Sequence, residues 1–231
     1  MQLLTMQLLT QSLGKLATQI SGATRVFHQY KLDFCCGGQQ SLAEALHKRG
    51  LETGPVLAAL EALQQKPLAK DWRQAPAHEL IDYILQRYHD KHRQQLPELI
   101  RLARRVEHVH SDSLDCPTGL ADQLDAMLQE LESHMQKEEQ ILFPMLRQGI
   151  YPAGPIHVMQ QEHLQHGDEL EKLDSLTDGI RLPPGACNTW TALYLGLREL
   201  KEDLMEHILL ENEILFVQPA HGDGICCGSC Q

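Results

Sequence analysis

Positive charge is scarce in this chain. Lysine and arginine number 20 against 31 aspartate and glutamate, and the formal net charge is −11. That balance excludes a nucleic-acid groove, which needs a basic footprint, and adsorption to an anionic membrane surface. Long apolar runs are also missing; none approaches the ~20 residues that a bilayer-spanning helix needs. The opening, Met1 to Gln11, lacks a basic stretch ahead of an apolar one and does not read as a secretory signal. It is a direct repeat, Met1–Thr5 and Met6–Thr10, to which no function is assigned. Seven cysteines, an odd number, without an export signal point to a reducing compartment and free thiols rather than complete internal pairing.

Histidine is what the chain has in quantity. There are 13, most of them between His78 and His207. Two occupy places where packing alone gives no reason for them. Leu120, Leu124, Met127, Leu131, His134, Glu138, Ile141 and Met145 step alternately by four and three, which is the buried stripe of a helix in a bundle. Leu193, Leu197, Leu200, Leu204, His207, Glu211 and Ile214 repeat the pattern. In both stripes a histidine and a glutamate one turn apart interrupt the apolar positions. An unpaired carboxylate in a core costs several kcal/mol or has its pKa forced upward. A metal ion removes that conflict by pairing the charge.

Two further helices complete the set. One opens at Pro76 with the seam Leu85, His89, His92, Leu96, Leu99, Ala103, Val106 and His110, and Pro97 inside it predicts a kink. The other opens at Pro155 with Ile156, Met159, His163, His166, Leu170 and Leu173. Residues 76–220 therefore read as an up-down-up-down four-helix bundle with short connections. Residues 11–65 read as a small helical unit without strands, residues 66–75 as a linker, and residues 221–231 as a loose Cys-rich tail. Within the small unit Ser41 and Glu44 form a capping box, and Gly50 ends that helix. The expected class is all-α.

The polar interruptions, His89 and His92, His134 and Glu138, His163 and His166, His207 and Glu211, fall at similar depth. Mixed imidazole and carboxylate suits iron or manganese rather than a thiolate zinc site. Two carboxylates can bridge two metals about 3.5–4 Å apart, and a position left open on iron is where O₂, nitric oxide or peroxide binds. His92 and His166 stay open between ligand and outer contact; His78, His108 and His110 read as solvated. Cys35-Cys36, followed by Gly37-Gly38, reads as an accessible turn carrying either two reduced thiols or a soft-metal and redox pair. Cys226, Cys227 and Cys230 give CxxC spacing in a tail, a weak metal signal. Cys116 and Cys187 lie near helix starts and read as structural, and Trp72, Trp190, Tyr151 and Tyr194 as packing.

These stretches carry a likeness. KLDFCCGGQQSLAEA resembles the short ScdA-type N-terminal domain. RYHDKHRQQLPELIRLARRVEHVH, ESHMQKEEQILFPM, PGACNTWTALY and DLMEHILLENEILF resemble a hemerythrin-like domain. Together, over about residues 12–218, they resemble the iron-sulfur cluster repair di-iron proteins (the RIC family). The resemblance implies two non-haem irons, oxo- or hydroxo-bridged, on His89, His134, Glu138, His163, His207 and Glu211, with the two glutamates bridging. It implies Cys35 and Cys36 as an iron relay or redox pair, a cytoplasmic bacterial protein, and repair of clusters damaged by nitrosative or oxidative stress, by iron donation. Damaged iron-sulfur proteins are then the partners, with NO or O₂ as small ligands; a homodimer stays open. A nitric oxide or peroxide reductase and an O₂/NO sensor are the alternatives, since each needs the same open centre. The run from Phe216 to Ala220 and the tail His221–Gln231 depart from the family pattern.

Overall fold

The computed structural model describes residues 7–35, 37–63 and 71–217. Ser12 caps α1 (Leu13–Gln19) by accepting from the Lys15 N–H, and α2 (Ala23–Gln29) follows. The Ser41–Glu44 capping box is present in both directions and opens α3 (Leu42–Arg49), which Gly50 ends at φ 63°. α4 runs Thr53–Leu63. The expected linker lies partly outside the described residues; within it, Trp72–Gln74 form a 3₁₀ turn that Asp71 caps.

The bundle has four long members. The first is α5 (Ala77–Ile84), a π turn (Leu85–His89) and α6 (Asp90–Val109). The second is α7 (Leu120–Lys137), a π turn (Glu138–Leu142) and α8 (Phe143–Arg147). The third is α9 (Ala153–Leu176). The fourth is α10 (Asn188–Leu210) with a closing π turn (Glu211–Leu215). α6 packs against α7 and α10, and α9 against α7. Among the described residues there is no strand, only an isolated bridge between Ser12 and Ser41.

The π turns correct the seam expected from the sequence. In each, an N–H reaches back five residues, Asp90 to Leu85, Phe143 to Glu138 and Phe216 to Glu211. One residue is thereby inserted and the buried stripe slips by one. So Leu142, at 1% exposure, is buried where Ile141 was expected; Ile141 is 54% exposed. Leu215 likewise takes the inward place expected for Ile214, and Ile84 and Tyr88 that of Leu85. α9 has no π turn, and its buried positions Met159, His163, His166, Leu170 and Leu173 match the expected stripe. The helix carrying Pro97 runs on to Val109, so His110 falls just beyond the seam.

The apolar core is in two parts. One holds Leu80, Ile84, Tyr88, Leu142, Phe143, Met159 and Leu215. The other holds Leu96, Leu131, Leu170, Leu200 and Leu204, and continues without a break into Leu13, Leu16, Phe27, Phe34 and Leu42. The N-terminal helices thus share a core with the bundle. Buried polar residues, His89, His92, His134, Glu138, His163, His166, His207 and Glu211, form the layer between the two parts.

Candidate metal centre

The four helices alternate in direction, so the layer has an order along the bundle axis. Each of the first and third helices passes from the Tyr88/Met159 core through His89 or His163, then His92 or His166, to the Leu96/Leu170 core. The second and fourth run the other way, through His134 or His207 and then Glu138 or Glu211. Four imidazoles therefore lie at mid-level. The two carboxylates lie on one side of them, and His92 and His166 on the other.

The six residues expected as ligands come together. His89, Glu138, His207 and Glu211 form one group and His134, Glu138, His163 and Glu211 a second, each with its donor atoms within 4.8 Å of one another. The glutamates are common to both groups. Glu138 Oε2 lies 3.4 Å from Nε2 of both His89 and His134. Glu211 turns Oε1 to His207 Nε2 at 3.0 Å and Oε2 to His163 Nε2 at 3.1 Å. All six are at most 1% exposed.

The outer contacts fix ring tautomers. His89 Nδ1 donates to Glu139 Oε1 at 2.8 Å, and Arg93 holds that carboxylate. His134 Nδ1 donates to Glu162 Oε2 at 2.9 Å, and Lys137 pairs with Glu162. His163 Nδ1 donates to Asn212 Oδ1 at 2.9 Å. In the neutral ring that metal binding requires, with the proton on Nδ1, the Nε2 atoms of these three residues carry lone pairs that point inward. His134 Nε2 and His163 Nε2 then face each other at 3.1 Å, lone pair to lone pair. His89 and His207 face each other at 3.2 Å. Neither oxygen of Glu138 has a hydrogen-bond partner. Such a cluster of inward acceptors is repulsive when empty of cations and complementary to two of them, so the residues present fit a dimetal group.

Without metal, the carboxylates hold protons on this cluster that bound cations would displace. Burial and the Glu211 charge both work against ionisation of Glu138, but His134 and His89 outweigh them and hold its pKa below the usual carboxylate range. Glu211 is buried as deeply, yet His207 and His163 hold it well below that range. Burial opposes protonation of His134, and Glu138 and Glu162 overcome this to lift it to about 10. His92 and His166 behave oppositely. Burial, helped by the neighbouring imidazoles, pushes His92 well down and His166 to about 3. Neither belongs to the two donor groups.

The cysteine turn differs from the accessible loop expected. Cys35 is 4% exposed. Asp33 closes the turn by accepting from the N–H of Cys35 at 3.2 Å and of Gly37 at 2.7 Å. A Cβ on Gly38 would overlap the Phe34 carbonyl oxygen, so this position needs glycine. The turn docks on the π turn that carries Glu211: Gln39 donates to Glu213, and Asn212 Nδ2 donates to the Cys35 carbonyl at 3.3 Å. Asn212 thus joins the cysteine turn to His163. Sequence periodicity did not single out Asn212, Glu139 or Glu162; their only signal was adjacency to Glu211, Glu138 and His163. Cys35 also lines a cavity of about 500 Å³ with His28, Lys31, Lys201 and Met205. Cys36, Cys226, Cys227 and Cys230 lie outside the described residues.

Elsewhere, Cys187 caps α10 and lies 3.2 Å from His110 Nε2. That contact and the helix N–H groups lower its thiol to about 7. His110, expected to be solvated, is half-buried against Trp190. His78 and His108 are exposed, and Trp190 and Tyr194 are packed in the core.

Comparison with known proteins gives two family matches: the hemerythrin HHE cation binding domain over residues 80–218, and a domain of unknown function, DUF542, over residues 9–64. The chain is 52% identical over 216 residues to the iron-sulfur cluster repair protein YtfE of Pectobacterium atrosepticum, covering 92% of this chain and 98% of that protein. It is 51% identical, with the same coverage, to the protein of that name from Yersinia pseudotuberculosis.

Proposed function

Because the chain belongs to the family of the YtfE iron-sulfur cluster repair proteins, in which a DUF542 domain precedes a hemerythrin domain, we propose that it restores damaged iron-sulfur clusters by giving up iron from a two-iron centre. His89 and His207 would hold one iron, His134 and His163 the other, and Glu138 and Glu211 would bridge them. The observation that carries this reading is the pair of shared, fully buried carboxylates between two facing imidazole pairs. Iron held there would supply an exchangeable cation.

The remaining work falls to the protein's own groups. Glu139, Glu162 and Asn212 keep a proton on the outer nitrogen of three imidazoles and so keep the inner one ready to bind. The two apolar clusters exclude water on both sides of the layer. Cys35, whose backbone carbonyl Asn212 ties to the site, would offer a soft thiol ligand to leaving iron, with Cys36 beside it in sequence. On the same reading the protein works in the bacterial cytoplasm on damaged iron-sulfur proteins. Its relatives are bacterial, and Cys116 and Cys187 are free thiols. No helix among the described residues is long and apolar enough to cross a membrane.

The test uses the full chain, purified and iron-loaded without oxygen. It is mixed with an iron-sulfur protein whose cluster nitric oxide has degraded. Recovery of the cluster absorbance should match the iron lost from the donor. Recovery with no iron lost, or nitric oxide consumed over many cycles per centre without repair, would replace donation by the reductase alternative.

A further inference from the structure

His92 and His166 are two buried imidazoles beside the centre that iron binding by the six ligands leaves unexplained. They are 0% and 5% exposed, and His92 Nδ1, His92 Nε2 and His166 Nε2 have no hydrogen-bond partner. Leaving such an atom unsatisfied costs roughly 1–3 kcal/mol, so these positions favour an apolar residue unless something else meets the ring. Each ring stands beside one imidazole pair. His92 lies 5.6 Å, centroid to centroid, from His207, and His166 lies 5.0 Å from His134.

Their side of the layer matters. Glu138 and Glu211 occupy the face towards Tyr88, Phe143 and Leu215. Among the buried described residues, the opposite face, towards Leu96, Leu131 and Leu170, receives no carboxylate and holds the imidazoles of His92 and His166. Because the first and third helices run parallel, a step of three residues beyond His89 and His163 carries both rings to this same face. A ligand on the metals there would meet an apolar floor and two imidazoles with a nitrogen to spare.

We propose that His92 and His166 form the wall of a small-ligand chamber, each donating a ring N–H to a two- or three-atom inorganic acceptor held on the face of the centre turned away from Glu138 and Glu211. The inference rests on the two-metal reading above. It adds a binding face and two residues that select for acceptor ligands over apolar ones of equal size.

Azide is the probe. Full-length protein, iron-loaded and then oxidised, is titrated with azide by its absorption band, and the bound azide stretch is recorded by infrared in H₂O and D₂O. Wild type is compared with His92→Leu, His166→Leu, His92→Gln and His166→Gln; the glutamines keep an N–H donor and, with thermal melts, separate hydrogen bonding from misfolding. All four variants should keep two irons. Each leucine variant should bind azide about tenfold more weakly, the equivalent of ~1.4 kcal/mol, with a shifted stretch that has lost its D₂O sensitivity. Each glutamine should restore most of both. Unchanged affinity and stretch in the leucine variants would overturn the chamber. Loss of iron in them would overturn it too, by making these residues ligands. A wild type that holds no metal would show before azide is added, and would remove the two-metal reading and the chamber with it.

Discussion

Glu138→Gln should cost the protein both metals, not one. The side chain is fully buried, and one of its oxygens lies 3.4 Å from an imidazole nitrogen of each half of the centre, His89 and His134. Glutamine keeps the shape and removes the charge that two cations would share. If each cation is present at about 100 times its dissociation constant, binding stabilises the fold by ~2.7 kcal/mol per site, or ~5 kcal/mol for two. For a domain of this size ~1 kcal/mol moves the melting temperature by about 2–4 °C, so iron should raise it by ~10–20 °C. In Glu138→Gln that rise should nearly vanish, and iron should fall from two per chain to below one. His134→Ala touches one half only and should keep about half the rise. Anaerobic melts with and without ferrous iron, with metal analysis of the same samples, give the answer. The difference between loaded and metal-free protein cancels whatever glutamine does to the empty fold. Two irons and a full rise in Glu138→Gln would refute the bridging role.

Asn212→Leu should weaken iron binding at the His163 position by ~10–100-fold, the usual effect of removing a ligand's outer partner, while Glu139→Gln does so at the His89 position; stepwise ferrous titration separates the two. Gly38→Ala should displace the cysteine turn, because the added methyl meets the Phe34 carbonyl oxygen; faster alkylation of Cys35, resolved by peptide mass spectrometry, is the expected sign. Cys187 should react with iodoacetamide at a rate that rises through pH ~7, the value set by His110 and the α10 amides, and His110→Ala should move that midpoint towards the ~8.5 of a free thiol. Asp203, 4% exposed and paired with Arg87 at 2.6 Å and Lys91 at 2.5 Å, is held below the usual carboxylate range: burial opposes this, but Arg87 and Lys91 outweigh it. Its contribution is present above the unfolded pKa of ~3.9 and is lost as pH falls through the lower folded value. Asp203→Asn should cost ~1–3 kcal/mol at pH 7 and progressively less in acid, read from urea melts.

The sequence by itself determined the helices and the eight imidazoles and carboxylates that face inward; the family resemblance chose six of these as the ligand set. The helices and the inward residues follow from local spacing: a stripe with a period near 3.5 must face a core, and the imidazoles and carboxylates on it are carried inward whatever the neighbours are. The capping box at Ser41 and the stops at Gly50 and Leu176 are likewise decided within a few residues of chain. Tertiary structure decided the rest. Ile141 moved to the surface, and Ile214 and Leu85 to the edge of the core, because π turns beside Glu138, Glu211 and His89 inserted a residue, and a heptad count assumes a uniform ladder. The pairing of His89 with His207 and of His134 with His163, the docking of Cys35 on Asn212, and the separation of His92 and His166 from the carboxylates depend on which helices are adjacent and which run parallel. Those are contacts between residues 29 to 177 positions apart. Side-chain periodicity records which face of a helix is buried. It does not record what that face is buried against.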